Sequence, residues 1–354
     1  MPAKDLRKKI GQLFLVGFEG RNISPWLKQL FHDYHVGGVV LFSRNVSEPG
    51  QAFEMLRSFK VPGLLVAIDH EGGRVVRLPA PVTRFPPAGQ LGLVNSPEMV
   101  RRSAVCQARE LSAIGINFNF APVLDVRSNP VNRVIADRSF SADAQAVGRL
   151  AREYVRGSLE VGVAPCGKHF PGHGDTREDS HELLPRVDTS PATLEQRELV
   201  PYRMALAAGL PAIMTAHVVH EGLDPTLPAT LSQPVVGKLL RERLGFQGVV
   251  VTDDLEMKAV ADNWDVEDRT LLALKAGADL LMYCHTPEVQ IRAIETVYRA
   301  VDGRIVKPEQ IEQSFARIQA LKTACRKVQP AHNRDELMEM LNRSEHKALA
   351  ASLG

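Results

Sequence analysis

The stretch Gly248–Asp253, which reads GVVVTD, decides the fold that this sequence predicts. It is a short run of mostly β-branched apolar residues that ends in a carboxylate. A strand with one solvated face alternates apolar and polar residues, whereas a strand covered on both faces is almost continuously apolar. The stretch is therefore typical of a central strand in a parallel sheet, and its acid marks the carboxyl end of that strand.

Seven other stretches of the same kind occur along the 354 residues. With Gly248–Asp253, the eight predicted strands are Gln12–Gly17, Gly38–Phe42, Leu64–Asp69, Ile116–Pro122, Val163–His169, Ala212–His217 and Asp279–Tyr283. Helical patterns lie between them, and the clearest helix starts are at Ser96, Ser190 and Thr286, each of which precedes a proline.

Alternation of strands and helices repeated eight times predicts an α/β protein with a single-domain (β/α)8 barrel. The alternative is a doubly wound open sheet, but no G-x-G-x-x-G motif follows the first strand. About 70 residues follow the eighth strand, which is too few for a second α/β domain. We therefore expect the barrel to occupy residues 1–325 and residues 326–354 to form a helical tail that packs on the barrel or extends from it.

Charge and composition limit the partners that the sequence predicts. Forty-three Lys plus Arg against forty-one Asp plus Glu give a net charge of +2, and no basic run indicates a nucleic-acid partner. No stretch approaches the ~18 apolar residues that a membrane span needs, and no signal peptide is visible. The four cysteines are far apart and form no C-x-x-C pair, which indicates reduced thiols in the cytoplasm. We expect a monomer.

Ionisable residues cluster after the predicted strands. In barrels of this kind the chemistry lies at the carboxyl ends of the strands, so a cluster there predicts an active site. The residues, in strand order, are Asp69, Glu71, Arg77, Asp125, Arg138, Lys168, His169, His173, Asp179, His181, His217, Asp253 and Asp254.

Three of these residues have a structural interpretation that we favour. Asp125 ends a strand, and such an aspartate commonly caps the loop that follows it. His173 stands between two glycines in a tight turn, where it would shape the backbone. Glu71 precedes a glycine pair and could satisfy buried loop amides.

The remaining residues point more strongly to a site. Neighbouring strand positions face opposite ways, so only one of Asp253 and Asp254 can face the centre of the rim. Lys168 at a buried strand end needs a partner, because an unpaired buried ammonium is costly. Arg77 and Arg138 lie on different loops and could pair with acids or hold a polar substrate.

Three histidines close together, His169, His173 and His181, raise a metal hypothesis. Their spacing does not match H-E-x-x-H, and a position between two glycines is unusual for a ligand. A metal-dependent barrel hydrolase is therefore the second enzyme hypothesis.

Four blocks of the sequence resemble one known family. Lys168–Thr176 (KHFPGHGDT) with Asp179-Ser180-His181 resembles the long signature of bacterial β-N-acetylhexosaminidases of glycoside hydrolase family 3. Val251–Met257 resembles the nucleophile strand of that family, and Asp69–Val75 and Gly115–Val126 resemble further blocks. The similarity runs from about residue 10 to about residue 300. The chain departs from many members at His70, where they have Gln.

The resemblance implies a retaining hydrolase that removes terminal β-linked N-acetylglucosamine without a metal or another cofactor. It assigns the nucleophile to Asp253 and the acid/base dyad to Asp179 and His181. Five residues then correspond to those that hold the sugar hydroxyls, namely Asp69, Arg77, Arg138, Lys168 and His169.

The short single-domain form resembles members that recycle the cell wall. Their substrate is N-acetylglucosamine linked to 1,6-anhydro-N-acetylmuramic acid, with or without its peptide. Aromatic residues make up only 6% of the chain, which favours a pocket for such a small carbohydrate over a long stacking cleft. A sugar-binding barrel without catalysis is the remaining alternative, and the presence of both Asp253 and the dyad counts against it.

Overall fold

The computed structural model describes residues 4–177, 180, 183–341 and 343–354. Eight parallel strands close into a barrel in the order β1-β10-β9-β7-β5-β4-β3-β2, which confirms the predicted (β/α)8 fold. The barrel strands are β1 (Phe14–Val16), β2 (Gly38–Leu41), β3 (Leu65–Ile68), β4 (Phe118–Asn119), β5 (Ala164–Phe170), β7 (Ala212–Thr215), β9 (Val249–Asp254) and β10 (Leu280–Tyr283).

Burial along these strands explains their composition. All barrel-strand residues are described, and every one is buried except Asp253, which is half-buried. The interior of the barrel and the ring of helices cover the two faces of each strand, so apolar residues are favoured at successive positions. The exception at the end of β9 is the first structural sign of a functional position.

Helices surround the barrel. The α-helices are α1 (Lys4–Gly11), α2 (Pro25–His32), α3 (Pro49–Phe59), α4 (Ala88–Val94), α5 (Pro97–Ile114), α6 (Ala144–Val161), α7 (Pro191–Thr193), α8 (Leu199–Ala207), α9 (Lys258–Ala261), α10 (Val266–Ala276), α11 (Pro287–Asp302), α12 (Pro308–Ala324), α13 (Arg334–Leu341) and α14 (Ser344–Leu353), and a π-helix spans Pro234–Arg243 before β9. The predicted start at Ser96 is confirmed, since its hydroxyl accepts a hydrogen bond from the Met99 amide at 3.4 Å. Such N-caps satisfy amides that have no partner within the helix.

Two features of the fold differ from the sequence prediction. Two short strands, β6 (Arg186–Val187) and β8 (Val219–His220), pair in parallel outside the barrel. The helix that begins after Ser190 becomes a π-helix over Leu194–Glu198 before it continues as α8. A two-residue strand is too short to show an alternation of apolar and polar residues, and a π-turn depends on tertiary packing. The sequence therefore carries no pattern that predicts either feature.

The C-terminal helices α13 and α14 pack on the barrel helices. Leu337, Leu341, Leu349 and Leu353 are buried. His346 of α14 is also buried, and its Nδ1 lies 2.7 Å from Glu110 Oε1 of α5. The boundary at residue 325 between barrel and tail stays a prediction. In the part of the chain that the structure describes, no helix is both long enough and apolar enough to span a membrane.

Candidate active site

A pocket of about 670 Å³ opens where the barrel strands end, and it brings most of the predicted site residues together. Six of them line it: Asp69, Arg77, Arg138, Lys168, His169 and Asp253. The other two, Asp179 and His181, lie outside the described residues. Ser180, which stands between those two in the chain, also lines the pocket.

The structure distinguishes the two adjacent aspartates of β9. Asp253 lines the pocket. Asp254 is buried, and its Oδ1 accepts hydrogen bonds from the amides of Glu256 at 3.0 Å and Cys284 at 3.2 Å. Its Oδ2 lies 3.1 Å from Nε2 of His285. Asp254 therefore holds the loops after β9 and β10, and Asp253 is the carboxylate of this pair that a substrate can reach.

A buried ionic network forms one wall of the pocket. Lys168 Nζ lies 2.5 Å from Asp69 Oδ1 and 2.7 Å from Glu71 Oε1. Arg138 holds Glu71 with two hydrogen bonds, of 2.9 Å from Nε and 2.8 Å from Nη2. The interpretation of Glu71 as a cap for loop amides was therefore wrong, because its carboxylate pairs with these two cations.

Opposite charges keep this network ionised in spite of burial. Burial raises the pKa of Glu71, but the charges of Arg138 and Lys168 outweigh it and hold that pKa well below its usual range. Burial likewise lowers the pKa of Lys168, but Asp69 and Glu71 raise it above its ordinary value. Each buried charge has its partner, so the network can hold Asp69 rigidly at the pocket surface.

Asp69 is oriented to accept hydrogen bonds from a ligand. Its Oδ1 accepts a hydrogen bond from Lys168 Nζ, and its Oδ2 lies 3.6 Å from Nη2 of Arg77. A carboxylate offers about four lone-pair positions, so two cations do not exhaust it. A sugar hydroxyl could donate to Asp69, while Arg77 could donate to a sugar oxygen.

Asp125 fixes the orientation of His169. Asp125 Oδ2 lies 2.7 Å from His169 Nδ1, and Asp125 Oδ1 accepts a hydrogen bond of 2.7 Å from the amide of His173. Asp125 therefore accepts hydrogen bonds from backbone amides as a cap does, but these are the amides of His169 in β5 and of His173 in the loop after β5. The prediction that it caps the loop that follows it was wrong. With Nδ1 engaged, Nε2 is the nitrogen of His169 that remains for a ligand.

His173 is held as part of the loop structure. Its Nδ1 lies 2.9 Å from Thr176 Oγ1, and its Nε2 lies 3.2 Å from Ser180 Oγ. Burial lowers its pKa to about 4, so the imidazole is neutral at neutral pH. Gly172 has φ of +153°, and a Cβ there would lie 2.8 Å from Glu198 Oε2, so the turn requires glycine.

These contacts count against the metal hypothesis. Both ring nitrogens of His173 already have hydroxyl partners, and His169 uses one nitrogen on Asp125. Within the described ranges, which omit His181, no group of three or more His, Cys, Asp or Glu side chains is placed to hold a metal ion.

Several residues of the pocket had no signal in the sequence. Met214 and Met282 line it from β7 and β10, and four rim residues come from loops, namely Val131, Arg133, Arg177 and Leu183. His217 is buried, with its Nε2 2.9 Å from the Asp254 carbonyl oxygen, so it supports the end of β9. Exposed arginines and aliphatic residues are common in loops. The sequence therefore does not indicate which of them lie at the pocket opening, and only the fold shows it.

The amide of Ala259, which follows β9, donates to the Ser180 carbonyl oxygen at 3.3 Å. This bond fixes the residue between the two predicted dyad residues to the segment that follows the predicted nucleophile. Ser180 and Asp253 both line the pocket.

Comparison with known proteins gives a consistent result. Residues 5–321 match the family described as "Glycosyl hydrolase family 3 N terminal domain". The chain is 41% identical over 292 residues to a β-hexosaminidase of Thioalkalivibrio sulfidiphilus, covering 80% of this chain and 83% of that protein. It is 38% identical over 272 residues to a β-hexosaminidase of Neisseria meningitidis, covering 74% of this chain and 75% of that protein.

Solved structures agree with these relatives. A glycoside hydrolase family 3 β-N-acetylglucosaminidase from Paenibacillus superposes with a TM-score of 0.93 at 40% identity, over 99% of this chain and 68% of that one. A β-N-acetylhexosaminidase from Beutenbergia cavernae gives a TM-score of 0.84 at 30% identity, over 90% of this chain and 98% of that one. The family resemblance of the sequence motifs is thereby confirmed. The chain belongs to glycosyl hydrolase family 3 and is a glycoside hydrolase.

Proposed function

We propose that this protein is a retaining β-N-acetylhexosaminidase that removes terminal β-linked N-acetylglucosamine from peptidoglycan-derived fragments. The observation that carries the proposal is the pocket at the end of β9, where Asp253 faces a wall built by Asp69, Lys168 and Arg138. The relatives are named β-hexosaminidase and β-N-acetylglucosaminidase, which supports hydrolysis of a β-N-acetylhexosaminide as the reaction. The small pocket supports a short fragment as the substrate.

In this mechanism Asp253 attacks the anomeric carbon and forms a covalent glycosyl ester. The ester splits one difficult displacement into two easier ones, and two inversions retain the configuration. Asp254 keeps the nucleophile in place, because its carboxylate is committed to the amides of Glu256 and Cys284.

The acid/base role belongs to His181 oriented by Asp179. Most retaining glycosidases use a second carboxylate ~5 Å from the nucleophile. A histidine that has given up its proton is neutral, so it adds no negative charge beside Asp253. When protonated it donates to the leaving oxygen, and it then accepts a proton from the incoming water.

The remaining polar residues hold the sugar. Asp69 accepts hydrogen bonds from hydroxyls, while Lys168, Arg77 and His169 Nε2 face oxygen atoms of the ring substituents. Arg138 mainly orients Glu71, because it holds the Glu71 carboxylate with two hydrogen bonds. Glu71 in turn positions Lys168. The resemblance assigns Arg138 to the sugar directly, and its place in the pocket lining is compatible with both roles.

The proposed substrate is N-acetylglucosamine linked to 1,6-anhydro-N-acetylmuramic acid, with or without its peptide, and the proposed location is the cytoplasm. All four cysteines are buried and unpaired, as in a reducing compartment. The monomeric state stays a prediction.

The test is turnover of an aryl β-N-acetylglucosaminide with the first-formed sugar followed by NMR. We expect release of the β-anomer and an unchanged rate in EDTA. The α-anomer as first product would exclude a retaining mechanism. A rate lost in EDTA and restored by zinc would favour the metal-dependent alternative, and binding of the sugar without turnover would favour the non-catalytic barrel.

A further inference from the structure

A second cavity opens at the end of the barrel opposite the active site. It measures about 530 Å³ and lies where β3 begins, since Leu65 and Val66 line it, whereas the active-site pocket lies where β3 ends. Its walls come from the segment between α3 and β3, the end of α5 and the segment that follows α12. We call it the basal cavity. Catalysis in this fold uses the other end of the strands, so the proposed reaction gives the basal cavity no role.

The charges that line the basal cavity are all of one sign. No Asp or Glu is among its lining residues, all of which belong to the described part of the chain. The chain as a whole is almost balanced, with a net charge of +2, so the cavity concentrates positive charge. Four basic residues line it, namely Arg57, Lys60, Lys322 and Arg326.

Lys322 is the cation that most needs a counter-ion. It is half-buried, and its Nζ donates a hydrogen bond of 2.6 Å to Oε1 of the neutral side chain of Gln12. Across the described residues it forms no ion pair with an acid. Burial lowers the pKa of Lys322 to about 8, so the ammonium predominates at neutral pH without a compensating negative charge.

The ends of helices account for only part of this positive charge. The helices α3, α5 and α12 all end at the basal cavity, and helix C-termini attract cations. Each helix end carries only about half a negative charge, so three ends offset less than half of the charge of four cations. Arg57 is already engaged, since its Nη1 donates to the His332 carbonyl oxygen at 2.6 Å. Lys60, Lys322 and Arg326 therefore remain to bind an anion.

The rest of the wall is mostly apolar, and its position is fixed by the fold. The segment after α12 is held on α5 by the amide of Gln329, which donates to Ser112 Oγ at 3.0 Å, and by the amide of Ala331, which donates to the Ala113 carbonyl oxygen at 3.0 Å. A preformed apolar pocket with a few charged groups is the usual form of a small-molecule site, and little ordering is needed when a ligand binds. The apolar lining includes Leu56, Phe59, Val61, Ile114, Val328 and Pro330.

We propose that the basal cavity binds a small amphiphilic monoanion, in which a carboxylate is joined to an apolar body. The carboxylate contacts Lys322 and is flanked by Lys60 and Arg326, while the apolar body lies against the aliphatic and aromatic wall. A dianion such as a phosphate monoester fits less well, because its second charge would be desolvated against apolar side chains. Binding here is independent of the proposed glycosidase activity, so its test involves no turnover.

Isothermal titration calorimetry of the full chain with three probes tests this proposal. Octanoate has both the charge and an apolar chain, octanamide keeps the chain without the charge, and acetate keeps the charge without the chain. We expect octanoate to bind with a Kd below about 1 mM. Octanamide and acetate should bind at least about tenfold more weakly, because each lacks one of the two kinds of contact.

Variants locate the bound octanoate. Lys322→Gln should weaken octanoate binding about tenfold and change octanamide binding by less than about twofold, whereas Lys322→Arg, which keeps the charge, should retain most of the affinity. Lys60→Gln combined with Arg326→Gln should weaken octanoate binding about three- to fivefold, since exposed charges contribute less. The matched control is Arg133→Gln, at an exposed arginine that lines the active-site pocket instead, and it should leave octanoate binding unchanged.

Octanamide binding as tight as octanoate binding would overturn the proposal, because the cations would then play no part. An octanoate affinity that stays at the wild-type value in Lys322→Gln and in the Lys60→Gln, Arg326→Gln double variant would overturn it too. So would a loss of affinity in Arg133→Gln, since the ligand would then occupy the active-site pocket. The double variant changes only exposed side chains, so it keeps the test decisive if Lys322→Gln does not fold. In each case the proposed glycosidase activity would stand.

Discussion

At the scale of single residues, Asp253 and Asp254 show how one strand separates a reactive group from a supporting one. They are adjacent in sequence and identical in chemistry, yet only Asp253 lines the pocket. The alternation of side chains along a strand made this separation predictable. The alternation does not say which of the two faces the pocket, and it was the family resemblance that assigned the nucleophile to Asp253.

This difference predicts unequal effects of the two amide substitutions. Asp253→Asn removes the nucleophilic carboxylate and should lower kcat on an aryl β-N-acetylglucosaminide by at least ~10³-fold. Asp254→Asn keeps an oxygen that accepts from the amides of Glu256 and Cys284, so a measurable part of kcat should remain. The reverse order of the two rates would place the nucleophile at Asp254.

A second prediction concerns His181. If His181 protonates the departing oxygen, His181→Ala should slow a substrate with a sugar or alkyl leaving group far more than one that releases a nitrophenolate. Hydrolysis of the glycosyl ester also needs the base, so activated substrates should give a burst of phenolate. Azide should restore turnover and yield a β-glycosyl azide.

Asp179→Asn is the milder variant for comparison with His181→Ala. It removes the charge that orients His181 but leaves the imidazole in place. It should show the same pattern in milder form. Equal losses with all leaving groups, and neither a burst nor an azide product, would mean that another residue is the acid.

The ionic network around Lys168 shows the limit of sequence reasoning at this scale. A strand-terminal lysine in a buried position predicts some acidic partner. Its partners Asp69 and Glu71 are 99 and 97 positions away along the chain. No spacing rule connects residues that follow β3 with a residue on β5, and only closure of the barrel brings them together.

At the scale of elements, the eight barrel strands were predictable because burial on both faces gives each of them the same apolar pattern. Their ends were less predictable. The predicted strand Ile116–Pro122 is paired as β4 only over Phe118–Asn119. Beyond Asn119 the chain stays hydrogen-bonded to β5 through the backbone of Ala121, Pro122 and Leu124 and a Val123–Lys168 bridge. It then leads to Asp125, which caps the loop after β5.

Helix α14 is attached to α5 by a buried ion pair with a specific pH dependence. His346 Nδ1 lies 2.7 Å from Glu110 Oε1, and Glu110 also accepts hydrogen bonds from the amide and the hydroxyl of Thr83. Burial lowers the pKa of His346, but hydrogen bonds with Cys106 and Glu110 raise it to about 9.

Because the folded-state pKa lies above the ordinary value, this pair stabilises the protein below about pH 6.5, and the contribution is lost as the pH rises through about 9. We expect His346→Gln to lower the free energy of unfolding by about 1 to 3 kcal/mol at neutral pH and by less at high pH. Urea unfolding across this range measures the difference. His332→Gln, at an exposed histidine, is the control, and a His346→Gln effect that does not vary with pH would contradict the assignment.

At the scale of the whole molecule, the closed barrel has no free sheet edge, and its chain ends in helices that cover one side. We propose that residues 326–354 are a docked tail rather than a separate folding unit. Leu337, Leu341, Leu349 and Leu353 are buried against the body of the protein.

Truncation after Cys325 should therefore yield a folded but less stable barrel. Each buried leucine contributes ~1.5 to 3 kcal/mol, offset by the ordering of the tail, so we expect Tm to fall by ~5 to 10 °C. Differential scanning calorimetry provides the measurement. Leu337→Ala with Leu349→Ala in the full chain should lower Tm as well, whereas Leu93→Ala at an 80% exposed site should not. An unchanged Tm after truncation would show that the tail contributes nothing to the fold.

The buried state of all four cysteines has a practical consequence for labelling chemistry. Burial raises the pKa of the Cys166 and Cys284 thiols above their ordinary range and that of Cys325 to about 12, and the thiolate is the form that reacts with alkylating reagents. A cysteine introduced by Val131→Cys would stand at a 63% exposed position on the pocket rim. A maleimide-linked fluorophore would attach there selectively, and its emission would report the arrival of the leaving-group side of a substrate in real time.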